Sequence, residues 1–152
     1  MTLLETIRVF ERVAAAQPSV NCIVRNDVFR LNTLKDARYG VFAWTQGAHE
    51  IGYDLQTFVF TFFYVDRLTE DKRNETEVQS VGVQTIGNIL RTLADAGMYS
   101  GDWTAQTFNQ RFADECAGVY ASVRLVVPAD LTCAEVWPDF NEQEFNNDFN
   151  IF

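Results

Sequence analysis

The chain has 152 residues, with 47% hydrophobic and 22% charged residues and a net charge of −9. That length fits one domain with a core of its own, and the composition excludes wholesale disorder. The acidic balance argues against a nucleic-acid binder or an anionic membrane surface as partner, since both need a surplus of Lys and Arg. The charge is also uneven. Residues 1–76 carry ten acids and nine bases, whereas 77–152 carry eleven acids and three bases.

Three cysteines, Cys22, Cys116 and Cys133, show no CxxC pair and no zinc-ligand spacing, which suits a reduced intracellular protein. The amphipathic start, MTLLETIRVFERV, lacks the basic entry and apolar run of a signal peptide, and no stretch reaches the length of a membrane span.

In chain order, Thr2 and Glu5 form a capping-box pair that predicts a helix start. Leu3, Ile7, Phe10 and Ala14 recur at helical spacing, with Arg8, Glu11 and Arg12 off that face. Gln17-Pro18-Ser19 ends it. Val20–Arg25 reads as a strand, Asn26-Asp27 as a turn, and Val28–Leu31 as the returning arm of a short hairpin. Tyr39–Gln46 alternates, with Tyr39, Val41, Ala43 and Thr45 on one face and Phe42 and Trp44 on the other. Gly47–Gly52 is read as a loop. Leu55–Asp66 is the strongest strand: Phe58, Phe60, Phe62 and Tyr64 share one face, and Val59, Phe63 and Val65 the other. Apolar residues on both faces predict a central strand with a helix over one side and a second cover, a partner subunit being one candidate, over the other.

A long helix follows, with Asn74 as N-cap, Glu75 and Glu77 in its first turn, and Gly97 as its C-terminal glycine. Val78, Val81, Thr85, Ile86, Ile89 and Leu93 form its predicted buried stripe, and Gly82 and Gly87 its close-packing positions against the sheet. Two more strands are predicted at 103–112 and 118–127. The pattern is helix, strands, helix, strands, which gives an α+β domain at 1–128 with an antiparallel β-sheet packed by two helices. The acidic arm at 129–152 carries Trp137, Phe140, Phe145, Phe149 and Phe152, anchors suited to docking on its own domain or on a neighbouring chain.

Catalytic patterns are sparse. His49, the one histidine, lies in the polar run GAHEIG and reads as an exposed structural residue; Glu50 and Asp54 would be its partners in a metal site. Neither phosphate-binding glycine motif is present. Glu70-Asp71 and Asp114-Glu115 read as solvated turns. Asp66 either caps a turn or meets an arginine of a neighbour. Arg25, Arg30, Lys35 and Arg38 make one basic patch, which could complement the acidic arm of the next copy. The expectation is no enzyme, no cofactor and no metal.

The runs RYGVFAWTQGAHE, FVFTFFYVDRLTEDKRNETEVQSVGVQTIGNIL and WTAQTFNQRFADECAGVYASVRLVV, with the ending FNEQEFNNDFNIF, resemble the tail-completion and tail-terminator-like neck ring proteins of tailed bacteriophages, of the Bacteroidales and crAss-like phage type. The resemblance spans about residues 1–128. It implies a tail-terminator-like fold and a virion structural protein forming a six- or twelve-fold ring at the head–tail connector. The implied partners are copies of itself and the neighbouring portal, neck and tail proteins. DNA would be only a passing cargo, with no membrane involved, and the location would be the virion and, during assembly, the host cytoplasm. A small-molecule- or peptide-binding domain, with Trp44, Phe58, Phe60 and Phe62 lining a pocket, is the alternative. A DNA-mimicking inhibitor fits less well, because the first half of the chain is near neutral.

Overall fold

The computed structural model describes residues 1–27, 38–111 and 115–129. Helix α1 (Leu3–Ala15) opens on the predicted capping box: the Glu5 amide donates to Thr2 Oγ1 at 3.2 Å, and the Thr2 amide donates to Glu5 Oε2 at 2.8 Å. Strand β1 (Cys22–Arg25) is followed by β2 (Val41–Gln46), β3 (Glu50–Ile51) and β4 (Leu55–Arg67). Helix α2 (Glu75–Asp95) leads to β5 (Gln106–Arg111) and β6 (Cys116–Pro128).

The six strands form one sheet in the order β1-β2-β4-β6-β5, with β3 alongside β4. Its spine is β4 against β6, antiparallel from Leu55↔Pro128 to Arg67↔Cys116. The sheet is mixed rather than antiparallel throughout, because β1 runs parallel to β2, with Cys22 beside Val41 and Arg25 beside Trp44. Parallel neighbours need a crossover of a dozen residues or more, and residues 26–40 supply that length. The predicted hairpin arm Val28–Leu31 lies outside the described residues, as does the arm 130–152.

Both helices pack on one face. Phe10 of α1 sits at the centre, its ring 4.9 Å from Phe60, 5.0 Å from Phe62 and 5.5 Å from Trp44. Phe58, Phe60, Phe62 and Tyr64 of β4 are all buried there, with Val119, Ala121, Val123 and Leu125 of β6. The buried stripe of α2 is Val78, Gly82, Thr85, Ile86, Ile89, Leu90 and Leu93. Val81 stands 41% exposed instead, because Gly82 turns to the sheet in its place. A Cβ at Gly82 would come within 2.8 Å of Val119 and 2.9 Å of the Tyr64 ring; at Gly87 it would meet Trp103, not the sheet, at 3.2 Å.

The helix ends in a Schellman motif: the Gly97 amide donates to the Ala94 carbonyl and the Met98 amide to the Leu93 carbonyl, with Gly97 at φ 77°. At the other end Asn74 occupies the N-cap position but does not cap. Its side chain closes the preceding loop, accepting from the Thr69 amide and donating to the Arg67 carbonyl. Glu11 also departs from expectation. It is buried rather than solvated, because its carboxylate accepts from Arg25 Nε at 2.8 Å.

Candidate subunit interface

The second face of the sheet has two halves. At one end Val24, Val41, Ala43, Val65, Phe108 and Cys116 are buried in a small apolar cluster, with Tyr39, Phe63 and Tyr120 packed against it. Toward the other end Val59 and Thr61 are half-buried and Ser122 and Arg124 exposed. No helix among the described residues covers this face, and none of them is long and apolar enough to cross a membrane.

At the end of the sheet a hairpin projects, and His49 makes it possible. Pairing between β2 and β4 stops at Gln46↔Phe60 and resumes one bulge later at Glu50↔Thr57. In the gap the Gly47 amide donates to the Val59 carbonyl, while the Val59 amide donates to His49 Nδ1 at 3.1 Å. Nε2 lies 3.0 Å from Gln46 Oε1, so the ring bridges the two strands and Nδ1 replaces a missing backbone acceptor. Its edge packs on Phe58 and it is half-buried rather than exposed. Both ring nitrogens have protein partners, and Glu50 pairs with Arg124 at 2.9 Å, so the geometry gathers no metal site from His49, Glu50 and Asp54.

Past Ile51 the Gly52 amide donates to the Leu55 carbonyl and closes a tight turn. A Cβ at Gly52 would lie 2.6 Å from that carbonyl oxygen. The turn presents Ile51 and Tyr53, each 82% exposed, and Leu55, 54% exposed, in five consecutive positions. An exposed aliphatic residue alone is ordinary; three large apolar side chains on one projecting tip are not. The run Gly47–Gly52, which reads as a loop in sequence, contains β3, and the apolar tip straddles its end, with Ile51 inside the run and Tyr53 and Leu55 beyond it. The chain also leaves the sheet here: the Ala129 amide donates to the Asp54 carbonyl, and the N-terminal ammonium donates to the Pro128 carbonyl.

Of the predicted interface residues, Arg25, Arg38 and Asp66 are among those described. Arg25 points to its own chain, its guanidinium held charged by the Glu11 carboxylate that accepts from it. Arg38 is exposed. Arg30, Lys35, Trp137, Phe140, Phe145, Phe149 and Phe152 lie outside the described residues. Asp66 takes the local role: its Oδ1 accepts from the Arg67 amide at 2.7 Å. Burial, with the Asp66 charge beside it, pushes the Tyr64 hydroxyl up to about 12.

Asp71 accepts from Thr69 Oγ1 and from the Arg73 amide, which holds its carboxyl below the usual range. Glu115 faces Lys72 at 3.8 Å, and its sequence neighbour Asp114 lies outside the described residues. Trp44, Phe58, Phe60 and Phe62 are all buried: Phe10 of α1 packs on Trp44, Phe60 and Phe62, and His49 on Phe58. A half-open pocket of about 360 Å³ does exist, but elsewhere, beside β6 ahead of the start of β5. Thr61, Tyr120 and Ser122 line it together with Asp102, Trp103 and Gln106.

No family model matches the chain, and no curated protein matches it in sequence.

Proposed function

We propose that this chain is a virion structural protein that forms a symmetric ring at the head–tail connector or tail top of a tailed bacteriophage. The observation that carries the reading furthest is the second face of β4. Val59 and Phe63 stay half-buried there with no described helix above them, on a strand whose other face is fully sealed. A ring built head to tail joins two different patches on each subunit. The second face and the exposed tip are two such patches on one molecule. The net charge of −9 suits a channel wall that lets DNA pass without binding its phosphates. The sequence resemblance supports the same reading and adds the partners, namely copies of itself and the adjoining portal, neck and tail proteins. In the same reading the protein sits in the virion, and in the host cytoplasm while particles assemble.

Quantitative mass spectrometry of sedimented phage particles tests this. A fixed ratio near one-half or one per portal chain supports a six- or twelve-fold ring; absence from mature particles contradicts it. The half-open pocket favours the second reading, a small-molecule-binding domain. A ligand panel that raises the melting temperature, with loss of the rise in Ser122→Trp, would support that reading instead.

A further inference from the structure

We infer that the hairpin tip of Ile51, Tyr53 and Leu55 is the seat for the aromatic C-terminal segment of a neighbouring copy. The inference rests on the ring reading and names its contact. Its first support is exposure: Ile51, Tyr53 and Leu55 are 82%, 82% and 54% exposed, at a tip closed by the His49 bridge and the Gly52–Leu55 turn. Apolar surface gathered on one projecting element is the mark of a contact site.

The second support is the place where the chain leaves the sheet. Ala129 is tied to Asp54 within the tip itself, and Pro128 to the N-terminal ammonium, so the root of the C-terminal segment is fixed beside the seat. Residues 130–152 lie outside the described residues, and only their sequence and length enter here. Rotational symmetry puts every tip and every root of a ring at one level. Twenty-three residues reach up to roughly 75 Å extended, against a radius of gyration of roughly 14 Å for a domain of this size. The segment is therefore long enough to span the width of a neighbour. Its aromatic residues begin at Trp137, eight residues past the root. That length is enough to place them beyond their own tip.

The third support is chemical. Arg25, one member of the basic patch offered as the acidic segment's partner, is already engaged by Glu11. Residues 50–55 hold no Lys or Arg; Glu50 is paired with Arg124 and Asp54 is exposed, so the tip gives an acidic segment no basic partner and only its three apolar side chains to meet. Phe and Trp on the segment match that surface. Their contact should hold as salt rises, whereas a contact between charges is screened within about 8–10 Å at ordinary ionic strength.

The test replaces Tyr53, which is exposed and aromatic, with a benzophenone-bearing phenylalanine. Isotopically light and heavy copies are mixed, assembled and irradiated. The expected product joins position 53 of one isotope to a peptide from 130–152 of the other, in equal yield at about 0.1 and 0.5 M salt. Products within one isotope only put the segment on its own tip and overturn the inference. Products with any other surface, or none, overturn it too. A second variant, Tyr53→Ser, should raise the concentration needed for assembly at least tenfold while its melting temperature stays unchanged; unchanged assembly contradicts the contact. Copy number in particles is read from the same preparation. Failure of the ring reading shows as absence of the chain, and failure of this contact as a chain present but cross-linked elsewhere.

Discussion

On one side of the sheet Phe58, Phe60, Phe62 and Tyr64 of β4 are sealed beneath α1 and α2. On the other side the same strand leaves Val59, Thr61 and Phe63 half-buried with no described helix above them. Both sides are apolar in sequence, so hydrophobicity alone does not separate core from contact surface. The separation comes from which side receives the helices. Phe10 fills the gap over the aromatic row, and Gly82 lets α2 approach Val119 and Tyr64 closely.

The sharpest probe of this contrast is a pair of neighbours, Phe62 and Phe63, with the same side chain on opposite faces. Phe62→Ala empties a fully buried site and should cost about 3–5 kcal/mol by urea unfolding. Phe63→Ala, from a half-buried site, should cost about 1–2 kcal/mol yet weaken assembly more than Phe62→Leu does. Equal losses from the two alanine variants would erase the contrast between the faces.

Titration of Tyr64 probes the sealed face in another way. Burial pushes its hydroxyl up to about 12 from an ordinary value near 10, so the buried neutral form stabilises the fold fully below pH 10. That stability is lost as pH rises from 10 through 12. Unfolding free energies at pH 9, 10 and 11 should fall in the parent chain more steeply than in Tyr64→Phe. Parallel slopes would mean that the hydroxyl reaches solvent.

The glycines of α2 give a smaller test, with opposite signs. Gly82→Ala must displace Val119 or the Tyr64 ring, and should destabilise by about 1–2 kcal/mol despite the better helix former. Gly87→Ala meets only the Trp103 ring at 3.2 Å, and the propensity gain of up to about 1 kcal/mol should leave it neutral or stabilised. Thermal unfolding reads both, and a Gly82→Ala variant as stable as Gly87→Ala would contradict the close approach.

Local patterns were the legible part of this fold. The Thr2–Glu5 capping box, the two-sided alternation of β2 and β4 and the Gly97 helix end all follow from short-range rules and recur in the structure. Long-range choices were not legible. The parallel β1–β2 pair depends on where residues 26–40 return the chain, and no local signal specifies that. Glu11 looked solvated because its partner, Arg25, is fourteen residues away and meets it only after β1 is placed. At the interface, sequence pointed to a patch of charge and an acidic arm. The exposed tip was hidden because Gly47 and Gly52 bracket β3 and make a paired segment look like a loop. His49 filling a gap in the ladder was equally invisible, since its partner is a backbone amide.

The most direct test of the account is oxidative footprinting of this chain, free and within assembled particles. The contact surface is assigned to the tip and the second face, so Tyr53 and Ile51 should oxidise several-fold more slowly in particles. Val81 and Val83, exposed on α2 over the opposite face, should keep their rates. Equal rates at Tyr53 in the two states, or protection confined to α2, would contradict it.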